Sequence, residues 1–310
     1  NISAKVETSY NTRTITPEFV DGYTHARMMN EARITRNQEP IYQNDELEIL
    51  RLGLDPDLYP NVDWKDVLLK DGAMTYRANV NMNGGSTARY FVSLSYISEE
   101  GMYKTDEAVR KDYNTNPGSQ RWNYRLNTDI DITKTTLVKV GVSGSLKKRN
   151  APGGGNVWAS LINQSPISIP VMYSNGYVPA FGKEDDRSNP WVLATQTGYF
   201  EIWENKVQTN ISLEQKLDFI TKGLRFEGRF GFDTNNTNEI SRKKMPQTWR
   251  AERFRNTDGE ITFKEQRTEE KMTQSSISTG NRTEFLEAIL HYNRAFKAHH
   301  VGGTLKYSQD

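Results

Sequence analysis

The sequence predicts an all-β fold, part of a large antiparallel transmembrane β-barrel with short turns at one end and long loops at the other. Three observations lead there. Apolar and polar residues alternate with period two in nine separate runs, aromatic residues gather near one end of those runs, and the connections between runs alternate between short and long. A helical membrane protein is excluded, since no run of about eighteen apolar residues occurs and the mean hydropathy over 310 residues is -0.77. Disorder does not fit, because aromatic residues make up 11% of the chain and 40 Lys and Arg balance 39 Asp and Glu. That balance also argues against nucleic acid as a partner. The absence of Cys removes disulfides, thiolate metal ligands and cysteine nucleophiles, and suits passage through an oxidising compartment.

The first strand covers residues 2–12. It begins in mid-alternation, with no charged n-region or apolar h-region before it, as expected of a piece of a longer chain. The long connection after it is expected to hold two short helices. In the first, Thr16 is the expected cap with Pro17 at the first helical position, and Phe19, Tyr23, Ala26 and Met29 form one stripe. The second follows Asn44, has Asp45 and Glu46 in its first turn, carries Leu47 and Leu50, and ends at Gly53. Both are expected to pack on a neighbouring loop.

The stretch 53–103 is the most distinctive. A Pro- and Asp-rich approach leads into a strand at 76–83, where Tyr76, Ala78, Val80 and Met82 alternate with Arg77, Asn79, Asn81 and Asn83. A Gly84, Gly85, Ser86 turn then leads to a strand at 88–98. Further strands are expected at 121–133, 137–148, 205–217, 224–233, 282–293 and 301–308. Connections at 84–87, 134–136, 218–223 and 294–300 are short, whereas those beginning near Arg13, Glu99, Arg149 and Thr234 are long.

With the first strand rising toward the long loops, Tyr10, Tyr76, Tyr96, Trp122, Tyr124, Phe232 and Tyr307 fall near one rim as an aromatic girdle. Tyr90 and Tyr292 suit the opposite rim. Between the rims lie Val80, Val92, Leu94, Leu126, Ile130, Val138, Val140, Ile211, Leu213, Phe226 and Leu290, a face that the charged residues of these strands are expected to avoid. Arg125, Asp129, Lys139, Glu214, Arg225, Glu227 and Arg229 point the other way. About ten residues rising about 3.3 Å each, tilted about 40°, span roughly 25 Å, the height of a lipid-facing band. A soluble sandwich also alternates, but has no reason to sort its connections by parity. Phe285 and Ile289 fall on the inner side, where a plug can meet them.

Chemistry is sparse. His25, His291, His299 and His300 show no metal spacing. Asp55 with Asp57, or Asp185 with Asp186, can offer oxygens to calcium but do not follow the EF-hand loop, so no cofactor is expected. The run Ala151 to Asn156, APGGGN, is neither a P-loop nor a nucleophile elbow and reads as a flexible loop, and Glu99 and Glu100 are too close in sequence to converge on a glycosidic bond. No catalytic site is expected. The third long connection carries Trp158, Tyr173, Tyr177, Phe181, Trp191, Tyr199, Phe200 and Trp203 beside Asn156, Asn163, Gln164 and Asp186, a mixture that suits an oligosaccharide, a docked partner or the packing of the loop itself. The fourth carries Trp249, Arg250, Arg253 and Arg255, a basic surface or a contact for lipopolysaccharide.

The runs FVDGYTHARMMNEAR, NDELEILRLGLDPDLYPNVDWKDVLLK, the GGS turn with ARYFVSLSYISEEGMY, and RWNYRLNTDIDIT resemble the SusC/RagA family of TonB-linked outer-membrane transporters of Bacteroidota. The resemblance is dense over residues 19–148 and rests beyond them on barrel patterning. It implies a twenty-two-stranded barrel in the outer membrane, of which residues 1–310 form the early part. It also implies a plug and a TonB box outside this sequence, and a SusD-like lipoprotein over the mouth that helps capture oligosaccharides or, in some members, oligopeptides. A surface glycan-binding or receptor module and a cell-surface hydrolase are the competing classes. The first predicts a sheet closed over its own core, the second a convergent carboxylate pair.

Overall fold

The computed structural model describes residues 1–107, 113–180 and 189–310. Nine strands form one antiparallel sheet: β1 (Ile2–Thr12), β2 (Gly72–Gly84), β3 (Ala88–Glu99), β4 (Gly118–Thr133), β5 (Thr136–Pro152), β6 (Gly198–Lys216), β7 (Leu224–Met245), β10 (Glu270–Phe296) and β11 (His299–Gln309). Each pairs with its predecessor in the sheet, a plain meander with β1 and β11 at the edges. The nine expected strands are all present. Most run further at the long-loop end than alternation indicated: β7 has 22 residues and β10 has 27. Beyond Asp233 the sequence TNNTNEISRK has Ile240 as its one apolar residue, so period two fades, yet the ladder from Thr234–Arg282 to Lys243–Thr273 continues.

Between β7 and β10 lies an unforeseen hairpin of β8 (Thr248–Arg255) and β9 (Ile261–Arg267). It turns at Asn256, whose side-chain oxygen accepts from the backbone N–H groups of Asp258 and Glu260 at 3.0 and 2.8 Å, with Gly259 at φ +80. The segment NTDG was a turn signal of ordinary kind.

The first long connection holds three helices rather than two: α1 (Gly22–Ile34), α2 (Asn44–Leu52) and α3 (Trp64–Leu68). The cap of α1 is not Thr16 with Pro17 but Asp21, whose carboxylate accepts from Thr24 N–H at 2.7 Å. Asp caps more strongly than Thr, and it stands next to the periodic residues, so Phe19 stays outside the helix. α2 matches expectation, ending at Gly53 with φ +64. The third long connection adds α4 (Val157–Asn163) and α5 (Pro190–Thr195).

The dry core sits in these loops, not under the sheet. Trp64, Leu68, Leu69, Val157, Leu161, Ile169, Leu193 and Ala194 pack together, joining the first and third connections. The sheet's outward apolar face is open instead: Val6, Leu94, Leu126, Phe230, Leu286 and Leu305 are all exposed. A sandwich would cover that face with a second sheet; a barrel wall covers it with lipid.

Candidate functional site

The outward face carries the aromatic residues expected near one rim. Tyr10, Tyr76 and Tyr307 are exposed there, and the rings of Tyr96 and Trp122, directly opposed on β3 and β4, lie 5.3 Å apart. Tyr124 lies over Gly144, where an added Cβ would meet its ring. The registers relate the belt's two ends. From Tyr76 they lead through Ser98 to Gln120 on β4, and from Tyr307 through Ala288, Gly228, Leu213 and Val138 to Ile130 on the same strand. Ten residues of β4, from Gln120 to Ile130, thus separate aromatics seven strand steps apart, β2 to β11. That is about 1.4 residues or 4.7 Å per step, against a strand spacing of about 4.8 Å, so these aromatics lie level if the strands tilt by about 45°. Phe232, which reads across to Leu126, falls on the same line. A tilt of about 35–45° is that of membrane barrels. Lys148, Arg282 and Glu284 share the outward parity, contrary to expectation, but stand above this line, toward the long loops.

The opposite face is mostly polar. Ser93, Ser95, Asn123, Arg125, Gln208 and Asp233 line a hollow of about 780 Å³. Nearer the short turns the polar residues become charged and pair along and across strands. Lys139 reaches Glu214 at 2.8 Å, Arg229 reaches Glu227 at 2.6 Å and Glu287 at 3.1 Å, and Lys306 also pairs with Glu287. Glu287 has 2% of its side chain exposed, so its charge requires both cations. Phe285 and Ile289 lie on this inner side as expected, opposite Gly231 and Glu227.

The loop residues form a body over one end of the sheet, and most of the expected ligand contacts have other partners. Trp249 belongs to β8 and stacks on Tyr177, with centroids 4.6 Å apart and planes at 16°; Phe263 meets Tyr177 and Tyr173 edge-on at 5.3 and 4.9 Å. The backbone joins in, since Trp249 N–H donates to Val178 at 2.8 Å and Ala180 N–H to Trp249 at 3.0 Å. Trp191 packs on the loop core. Tyr199 and Trp203 are not loop residues but lie in β6, where Tyr199 stacks on Tyr113 at 5.7 Å and Trp203 donates to Glu201 at 2.6 Å beneath the Lys148 ammonium. Trp158 on α4 remains 41% exposed. Phe181, Asp185 and Asp186 lie outside the described residues.

The basic residues of the fourth connection also turn inward. Arg253 reaches Glu46 at 3.2 Å, and Arg255 reaches Asp55 at 2.7 Å. Asp57 accepts from Ser174 N–H at 2.9 Å, His25 lies 3.2 Å from the Ser165 hydroxyl, and the Trp64 indole donates to Ser165 carbonyl oxygen at 3.3 Å. The three connections are thereby tied together, and α1 and α2 do pack on a neighbouring loop. Burial pushes the Glu46 carboxyl up, but Gln43 N–H at 2.8 Å, the Arg253 guanidinium and Tyr59 hydroxyl outweigh it and hold it below the usual value. Burial and the Glu46 hydrogen bond push Tyr59 up to about 12. Among the described residues no three His, Asp or Glu side chains gather closely enough for a metal ion. Sequence reading missed Phe263, Glu46 and Tyr59 as organisers of the mouth; their partners lie up to 207 residues away, and no local pattern marks them.

No known family model matches the chain. Among curated proteins, a TonB-dependent receptor of Formosa agariphila is 28% identical over 178 residues, covering 54% of this chain and 16% of that protein. Among solved structures, the RagAB peptide transporter matches 99% of this chain and 34% of its own at 15% identity, with a TM-score of 0.63; the RagAB peptide importer in its closed-closed state matches at 14% identity and 0.58, over 36% of its chain. The chain thus spans about a sixth of the curated relative and about a third of the solved ones. These relatives are receptors and transporters rather than enzymes. A sequence relative among TonB-dependent receptors and a nine-stranded sheet that shares the fold of the RagAB transporter structures bear out the resemblance to TonB-linked barrel proteins.

Proposed function

We propose that the protein imports a nutrient oligomer across the outer membrane, driven by TonB, with the barrel as its conduit and a SusD-like surface lipoprotein over its mouth. The observation that carries this is the outward face: open apolar strands below a line of aromatics that becomes level at the tilt of a membrane barrel. TonB contact belongs to parts of the protein outside these 310 residues. The sequence reading puts oligosaccharide first and oligopeptide second; the loop packing favours the reverse order. Tyr177, Trp249 and Phe263 are spent on one another and Trp191 on the loop core, leaving few ring faces for sugars. The solved neighbours are themselves described as peptide transporters.

The test is deletion of the whole gene, with growth on defined oligopeptides and oligosaccharides as sole nutrient, and affinity purification of the tagged full-length receptor from membranes. Import predicts a growth defect on peptides and a copurifying surface lipoprotein. Unchanged growth on every oligomer and no such lipoprotein would remove the proposal.

A further inference from the structure

We infer that a cleft between the glycine turn after β5 and the upper ends of β7 and β10 binds the acidic part of an oligopeptide. This rests on the import reading and narrows its substrate. The cleft measures about 880 Å³. Its floor is apolar, from Ala159 on α4, Leu193 on α5 and Met245 at the end of β7. Its rim carries Lys243, Lys271 and Arg267 against one acid, Glu270, which Arg267 already meets at 2.9 Å. Lys243 and Lys271 enter no ion pair among the described residues, so the rim keeps an excess of positive charge. Lys244 is not part of that excess, because its ammonium turns to the Tyr113 ring at 5.1 Å.

The cleft is held open by local chemistry. Gly154 lies against Thr197 where any side chain would overlap it, Gly153 N–H donates to Gly198 at 3.0 Å, and Thr197 carbonyl oxygen accepts from Lys244 N–H at 3.2 Å. The APGGGN run is therefore a packed wall, not a loose loop. Lys243 pairs with Thr273 on the inner parity of the sheet, which opens the cleft toward the interior above the aromatic line. Among the described residues no aromatic ring lines it, and an apolar floor with unanswered cations suits side chains flanked by carboxylates.

The test uses detergent-purified full-length receptor and two fluorescent nonapeptides, one with three Asp residues and one with Asn in their place, measured by anisotropy. The Asp peptide should bind at least about tenfold tighter at low salt, with the gap closing at high salt. The double variant Lys243→Gln/Lys271→Gln should lose that preference while binding the Asn peptide as before; Lys222→Gln, in a short turn at the other end, should keep it. A double variant that retains the preference, or a wild-type receptor that shows none, overturns the cleft. Neutral oligosaccharide displacing the peptide would also overturn it. Growth on peptides with and without the receptor reports separately on import, so the cleft can fail while the import reading stands.

Discussion

Arg253 Nη2 lies 3.2 Å from Glu46 Oε1, a contact between residues 207 positions apart that pins the β8–β9 hairpin to the start of α2. Glu46 also accepts from the backbone of Gln43 and from the Tyr59 hydroxyl, so one carboxylate closes a helix cap and joins two long connections. Glu46→Gln should therefore cost about 1–3 kcal/mol of local stability, and Arg253→Gln less, because Arg253 is 60% exposed. Limited proteolysis of the outer loops in the full-length receptor reads both; equal cleavage of wild type and Glu46→Gln would contradict the assignment.

The same carboxylate makes the mouth sensitive to acid. The Glu46 pKa lies below the usual carboxylate value in the fold, so its contribution is complete above that usual value and is lost as pH falls through the lower, folded one. Protease susceptibility of the loops should rise in wild type as pH falls below the usual carboxylate range, and the Glu46→Gln variant should show a flatter response. A wild-type profile that stays flat on that acidification would count against it.

Trp64 anchors the loop core at 3% exposure, and its indole N–H reaches Ser165 carbonyl oxygen. Trp64→Ala should cost about 3–5 kcal/mol and loosen the loops while leaving the strands paired, since that core lies outside the sheet. Circular dichroism in detergent should keep its β signal as proteolysis accelerates. Loss of both together would mean that the loop core and the sheet fold as one unit.

On the inner wall, Glu287 answers both Arg229 and Lys306. Both cations are about half exposed, so water softens the loss of their partner. Glu287→Ala should still lower the unfolding temperature of the full-length barrel, by about 1–3 kcal/mol in free energy. Adding Arg229→Ala should cost less than the two single changes summed. Additive shifts would show that the pair does not interact.

Leu94 and Ser93 are neighbours on β3 whose side chains face opposite sides. Leu94→Lys puts a charge on the outward face and should cost about 2–4 kcal/mol in a bilayer, whereas Ser93→Lys faces the polar hollow and should cost far less. Folding yield into lipid vesicles distinguishes them, and equal yields would refute the orientation of the sheet.

The nine sheet strands were legible because each must show lipid one side and a polar interior the other, which writes period two into the sequence over the length of the apolar band. Above that band the rule lapses: β7 and β10 continue through Asn- and Ser-rich segments that no alternation marks. The aromatic candidates were legible as residues but not as roles. Tyr177 and Trp249 were visible as exposed-loop aromatics, yet their ring stacking depends on two connections meeting, which has no local signature.

By itself, then, the sequence determined the sheet, its direction of alternation and which of its connections are short, because strand pairing between neighbours and a difference between the two faces are constraints that repeat every two residues. Only the tertiary structure decided how far the strands run, that Asp21 and not Thr16 starts α1, and that the long loops close on one another through Glu46, Asp55 and Trp64. It also decided that Lys243 and Lys271 share a cleft with Leu193. Those outcomes depend on contacts between residues tens to hundreds of positions apart, where side-chain shape and charge act only after the chain has brought them together.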